Sequence, residues 1–236
     1  LIVNENLQFY IKSKNNETGI HIAEIQAAIP SEEAIHKHGQ IPLPPYIKVT
    51  NPNQLESEYQ TTFASITGSV AAPTAGLHFT EELLKDIENK GIKILKITHH
   101  VGYGTFKPIK DTNIEQHKMH SETYVISSET AKELNDAKEA NKRLIAVGTT
   151  VSRALESSFK QTKFTEGKSD TNLFIKPGYT FKAIDGLISN FHLPKSTLII
   201  LVSTLAGIDL IKEAYLVAIS ERYRFYSFGD AMLISK

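Results

Sequence analysis

The sequence predicts an α/β (α+β) fold: a parallel or mixed sheet with helices between its strands, preceded by a smaller β-rich unit. Two observations carry this reading. From about residue 66, short apolar runs such as Leu144-Ile145-Ala146-Val147 alternate with amphipathic stretches such as residues 81–90. Before residue 50 the apolar residues instead recur at every second position, as at Leu7, Phe9 and Ile11.

Taken in order, the first unit spans residues 1–45. Leu7, Phe9 and Ile11, then Ile20 and Ile22, alternate with polar residues and predict strands. Pro30-Ser31-Glu32-Glu33-Ala34-Ile35 predicts a short helix that Gly39 can end. Pro42, Pro44 and Pro45 exclude a central strand, so residues 41–47 read as a stiff connector into a second unit, residues 46–236. The chain starts at Leu1, inside a strand region, so an N-terminal part is expected to be absent.

In the second unit, residues 68–80 have no helical or strand period and read as an ordered loop of small residues. Thr80 caps a helix over 81–90 that places Leu83, Leu84 and Ile87 on one face and ends at Gly91. Residues 92–97 predict a strand, 129–140 a helix behind Ser127 or Ser128, and 144–147 a short buried strand. Residues 173–175 and 187–188 predict two more strands, with turns at Pro177-Gly178 and Asp185-Gly186. Ser196 caps an apolar helix ending at Gly207, a second helix runs over about 209–221, and residues 225–234 predict a strand or hairpin.

Composition excludes several classes. The chain has 236 residues, 41% of them hydrophobic, which is enough for a real core. It has no cysteine, hence no disulfide framework, thiolate metal site or cysteine nucleophile. The apolar run at 198–206 contains Ser203 and Thr204 and is too short to span a bilayer, and no signal-peptide pattern is present. These features fit a cytoplasmic protein with no membrane partner. The formal net charge is +0, so any nucleic-acid contact must rest on a local patch.

Chemistry is expected in the loops after strands. In the 68–80 loop, Thr74, Gly76 and His78 stand among alanines and glycines that let a ligand or backbone come close. The plain alternative is a tight loop packing a helix on a sheet. His99-His100-Val101-Gly102-Tyr103-Gly104-Thr105 follows the next strand. Its Gly-x-Gly is not a dinucleotide fingerprint, because Pro108 follows and no helix starts there, and a glycine-bent turn with structural histidines competes equally. His120 and Glu122 form a candidate pair for proton transfer, against a default of an exposed polar loop, and their spacing matches no zinc signature. Gly148-Thr149-Thr150, with Arg153 one turn on, reads as an anion cradle at a helix start. Asn190, Phe191, His192 and Lys195 offer an amide, a ring, an imidazole and an amine, or simply a capped helix start. The lack of a Gly-x-Ser-x-Gly elbow disfavours a serine hydrolase. Read from residues alone, the loops point to an enzyme doing acid–base work.

These blocks together resemble the S-adenosylmethionine:tRNA ribosyltransferase-isomerase family of queuosine biosynthesis. The match runs through residues 71–80, 41–47, Tyr59-Gln60-Thr61, residues 100–106, Met119-His120-Ser121-Glu122, residues 147–150 with Arg153, 174–179, 190–196, and Tyr223-Arg224-Phe225 with residues 227–232. The resemblance implies a barrel-like or mixed sheet in the main domain. It also implies that residues 1–45 are the remnant of an inserted β-barrel domain. Two departures stand out. Gly167-Lys168-Ser169-Asp170 lies where the family often has an aromatic beside a glycine, and position 99 is His where relatives are usually apolar.

What the resemblance implies chemically is ribosyl transfer from S-adenosylmethionine to the aminomethyl group of a 7-deazaguanine at the tRNA wobble position. An epoxycyclopentane forms, and adenine and methionine leave. A base must remove a C5′ proton, the adenine needs a proton donor, and the methionine carboxylate needs an anchor. His100 and His120 are the implied proton-transfer groups, with Glu122 as orienter and His78 as a third candidate. Thr149, Thr150 and Arg153 suit the carboxylate or a phosphate, and Thr74, Gly76, Gly102, Gly104 and Thr105 are further implied substrate-binding residues. Asn190 and His192 suit a base edge, Phe191 a stacked base and Lys195 a phosphate. S-adenosylmethionine is a co-substrate, so no metal or further cofactor is expected. The partners implied are S-adenosylmethionine and the tRNA anticodon loop, with the protein a monomer. Two other readings compete: a tRNA-binding fragment without catalysis, and an ordinary methyltransferase, which would yield S-adenosylhomocysteine rather than adenine.

Overall fold

The structure, a computed structural model, describes residues 2–4, 6–15, 21–40, 42–44, 46–47, 58–102, 114, 117 and 119–235. It divides into two compact units, Leu1–Leu43 and Pro44–Lys236.

In the first unit, β1 (Ile2–Asn4), β2 (Leu7–Lys14) and β3 (His21–Ala27) form an antiparallel meander. Helix α1 (Ser31–His38) follows, and its end is closed by the Gly39 N–H donating to Ile35 O at 2.7 Å. The two-residue period puts Leu7 inside, while α1 contributes the fully buried Ala34. Asn4 Nδ2 and His38 Nδ1, 2.9 Å apart, tie the helix end to the first strand.

The second unit carries the expected mixed α/β texture. After a 3-10 turn at Thr74–His78, helix α2 (Glu81–Asn89) starts with Thr80 accepting the Leu83 N–H at 3.1 Å. Strands β4 (Thr98–His100), β5 (Glu122–Ile126) and β9 (Gly167–Thr171) make one antiparallel sheet in the order β4-β5-β9. Strands β6 (Ile145–Val147), β10 (Gly186–Asn190) and β11 (Ala231–Ser235) make another, with β10 central, parallel to β6 and antiparallel to β11. A hairpin, β7 (Phe159–Lys160) and β8 (Lys163–Phe164), turns through Gln161 and Thr162, both at positive φ. Helices α3 (Ser128–Glu139), α4 (Thr149–Ser158), α5 (Thr197–Ala206) and α6 (Ile208–Ser220) complete the unit. Ile126, Leu134, Leu155, Ile175, Leu187 and Val202 lie in its core. None of the helices among the described residues is long and apolar enough to cross a membrane.

Three expectations change. Residues 92–97 join no sheet ladder among the described residues. Their inward residues Leu95 and Ile97 are satisfied by packing on the core instead. Residues 173–175 are not a strand either, because the Leu173 carbonyl accepts from Arg153 Nε at 3.0 Å rather than from a ladder partner. The tail is a strand only from Ala231, since residues 224–230 fold into a turn closed by the Asp230 N–H donating to Arg224 O at 2.8 Å. Among the described residues no sheet closes into a barrel, so the mixed sheet, not the barrel, is what the main unit is built on.

Candidate active site

Strands β6 and β10 run parallel, with Val147 opposite Ile188, so their carboxyl ends open on one edge of the sheet. The Gly148 N–H donates to Ile188 O at 2.8 Å, extending the ladder by one step. Gly148 then turns sharply at φ +96° into α4, a conformation that favours glycine. No side chain caps the start of α4, which leaves its first amides for another acceptor. Strand β10 ends at the same level in Asn190, followed by Phe191 and His192.

A cavity of about 610 Å³ sits on this edge. Such a volume suits a nucleoside-sized ligand, and the carboxyl ends of parallel strands are where α/β folds bind them. Its walls include Thr149 and Thr150 after β6, Asn190, Phe191 and His192 after β10, and Thr74 within the small-residue loop. These are six of the residues expected from sequence. Gly76, His78, His100, Gly102, His120, Glu122, Arg153 and Lys195 are not in the wall. Gly104 and Thr105 lie outside the described residues.

The loop is fixed from both ends. Val70 N–H donates to Val101 O at 3.0 Å, and Val101 N–H to Ser69 Oγ at 3.0 Å. His100 packs where a Cβ on Gly68 would stand, 3.0 Å from its Nδ1, so Gly68 makes room for the imidazole. Gly76 does the same for Thr61 and Phe63, whose side chains lie 2.8 Å from the place of its missing Cβ. At the far end Thr74 Oγ1 donates to Asn190 Oδ1 at 3.0 Å, and Asn190 Nδ2 meets His78 Nε2 at 2.9 Å. Burial lowers the His78 pKa, opposed by nearby Asp230 and assisted by Arg224.

Phe191 is a wall of the cavity but not an open stacking platform. It is only 5% exposed and is held by Tyr215 and Phe225, with ring centroids 5.3 and 5.0 Å away. His192 Nε2 lies 2.7 Å from Ser189 Oγ, its backbone N–H donates to Tyr215 Oη at 2.7 Å, and burial pushes its pKa down to about 4. It is therefore neutral at pH 7. Lys195 is exposed, at φ +58°, beyond the cavity.

The expected carboxylate clamp and proton-transfer pair are arranged differently from the sequence reading. Arg153 is turned inward: Nη1 donates to Glu122 Oε2 at 2.9 Å and Nε to Leu173 O at 3.0 Å. Glu122 Oε2 also meets His99 Nε2 at 3.1 Å, whereas His120 is exposed. Both outcomes follow from register. In β5 Glu122 faces inward, and position 153 lies one helical turn beyond Thr149 on the buried face of α4. Among the described residues no three His, Cys, Asp or Glu side chains converge as a metal site.

Two features were not among the expected site residues. Tyr226 and Ser227 line the cavity from a turn that the sequence read only as a strand or hairpin, and Tyr46 Oη lies 2.7 Å from Ser227 Oγ. Glu156 is buried and accepts the backbone N–H groups of Lys182, Ala183 and Ile184 as well as Tyr179 Oη at 2.9 Å. It fixes the loop that feeds β10. An alternation of polar and apolar residues cannot reveal such a long-range nest.

Known proteins resemble this chain over nearly all of it. The family model described as queuosine biosynthesis protein matches residues 2–234. The S-adenosylmethionine:tRNA ribosyltransferase-isomerase of Desulfitobacterium hafniense is 55% identical over 204 residues, covering 86% of this chain and 59% of that protein. The protein of the same name from Caldanaerobacter subterraneus is 52% identical over 219 residues, covering 92% and 64%. A solved structure, S-adenosylmethionine tRNA ribosyltransferase from Thermotoga maritima, superposes with a TM-score of 0.57 at 33% identity, covering 99% of this chain and 64% of that one. This chain thus spans about three fifths of the length of such relatives.

Proposed function

The chain belongs to the queuosine biosynthesis protein family, and on that premise we propose that it transfers and isomerises the ribosyl part of S-adenosylmethionine onto tRNA. The acceptor is the aminomethyl group of a 7-deazaguanine at the wobble position. The observation that carries the reading is the cavity at the paired carboxyl ends of β6 and β10, walled by the residues 71–75 loop.

The balance of the reaction is internal. A C5′ proton goes to a base, and the C5′–S bond gives its electron pair to sulfur, releasing methionine. The two valences freed at C5′ are taken up by the carbon–carbon bond that closes the cyclopentane and the carbon–oxygen bond that closes the epoxide, and one C–O bond of the ribose ring opens to supply that oxygen. The glycosidic bond to adenine breaks, and adenine leaves with a proton. The acceptor nitrogen loses a proton as its new bond to carbon forms. Each step asks for a placed group. The uncapped amides at Thr149 and Thr150 suit the methionine carboxylate, since a helix start offers free N–H groups and partial positive charge. Arg153, committed to Glu122, supports that turn from behind. Asn190 and His192 suit a purine edge, and Phe191 forms the wall behind it. His100, next to the wall residue Val101, is the proton-transfer candidate best placed in sequence.

The test is chromatographic detection of adenine and methionine after incubation with S-adenosylmethionine and tRNA bearing the aminomethyl deazaguanine. Release of adenine supports the reading, and His100→Ala is expected to slow it about 100-fold or more. Accumulation of S-adenosylhomocysteine overturns it in favour of methyl transfer. tRNA binding without adenine release supports instead a binding role without catalysis.

A further inference from the structure

The Asn190 amide is held on three sides. Thr74 Oγ1 donates to Oδ1 at 3.0 Å, Nδ2 meets His78 Nε2 at 2.9 Å, and Nδ2 reaches the Ser227 carbonyl at 3.5 Å. A carbonyl only accepts, so the contact with Ser227, the longest of the three, marks the side of the amide nitrogen while holding it only weakly. His78 Nε2 must then accept as well, which places the imidazole in its neutral form with the proton on Nδ1. Both hydrogens of Nδ2 are engaged, whereas Oδ1 has received one hydrogen bond and keeps a second lone pair. Thr74 and Asn190 line the cavity and His78 does not.

We infer that His78 is a positioning residue acting through Asn190: its Nε2 lone pair locks the amide so that Asn190 offers the cavity an acceptor, and the ligand group bound there is an N–H donor, an exocyclic amine or an ammonium. The choice of ligand rests on the proposed function. S-adenosylmethionine carries both kinds of donor, the 6-amino group of its adenine and the ammonium of its methionine. A protonated His78 turns Nε2 into a donor, so the amide would have to rotate and present its own N–H groups to that amine. The charged groups acting on His78 are Asp230 and Arg224, paired with each other at 2.6 Å, and burial adds to the bias toward the neutral ring.

The test is calorimetric binding of S-adenosylhomocysteine and two analogues, one with a 6-oxo group in place of the 6-amino group, the other lacking the α-ammonium. Wild type is expected to bind one analogue about tenfold more weakly than the parent, and which one identifies the donor. His78→Gln, whose side-chain oxygen can accept in place of Nε2, keeps that ratio. His78→Leu brings it within about twofold. A merely structural role would weaken all three ligands together and leave the ratio unchanged, and that result overturns the inference. Equal wild-type affinity for all three overturns it too. In ¹⁵N-labelled protein without ligand, an unprotonated His78 Nε2 is expected, and a protonated one overturns the inference even if the proposed function stands. If wild type binds none of the three ligands, the proposed function and the ligand assignment fall together.

Discussion

Arg153 Nη1 stands 2.9 Å from Glu122 Oε2, and the two side chains are only 4% and 3% exposed. The pair ties α4, whose first turn walls the cavity, to β5 of the other sheet. His99 shares the same carboxylate oxygen at 3.1 Å. Removing one partner leaves a buried charge without its counter-ion. Arg153→Met is therefore expected to cost about 3–5 kcal/mol in urea unfolding, and Arg153→Met with Glu122→Met to recover much of it. Equal losses in the single and double variants would contradict this reading.

His192 makes stability depend on pH. Its pKa falls from an ordinary 6.5 to about 4 on folding, because burial penalises the charged ring. The unfolded chain then binds more protons between those values, so the contribution is fully present above pH 6.5 and is lost as the pH falls towards 4. It amounts to about 3 kcal/mol. Urea midpoints over that window should flatten in His192→Asn, with the residual slope belonging to His78, whose pKa is lowered too. An unchanged slope would remove His192 as its source.

Glu156 holds residues 182–184 by their backbone N–H groups. Glu156→Gln turns one acceptor into a donor facing donors. We expect a stability loss of about 1–3 kcal/mol, with amide exchange at 182–184 rising about tenfold or more. Exchange that stays at wild-type rates would show that the loop is held by other contacts.

Gly76→Ala places a methyl group 2.8 Å from Thr61 Cγ2 and Phe63 Cζ. The loop must shift, at about 1–3 kcal/mol, and with it Thr74 and its hydrogen bond to Asn190. Adenine release should fall more than stability alone explains. A variant with wild-type turnover would separate the loop from the site.

Local signals in the sequence located the elements that depend on local signals. Thr80, Ser127 and Ser196 marked helix starts within one residue, and all three cap as expected. Gly39 and Gly207 marked helix ends in the same way. Strands were less legible, because a ladder needs a partner that no local pattern names: residues 92–97 and 173–175 have apolar rhythm and no ladder. The cavity wall was legible where a strand end meets a glycine or a helix start, as at Gly148-Thr149-Thr150 and Asn190-Phe191-His192. The burial of Arg153 was not, since only the tertiary position of Glu122 makes a guanidinium stable inside.

In the proposed function S-adenosylmethionine binds on the edge where β6 and β10 end. Hydrogen exchange read by mass spectrometry, with and without S-adenosylmethionine, tests it most directly. Slowed exchange is predicted at residues 71–75, 148–150 and 190–192 together, three of the segments that line the cavity. Slowed exchange confined to other segments, or none at saturating ligand, would contradict the account.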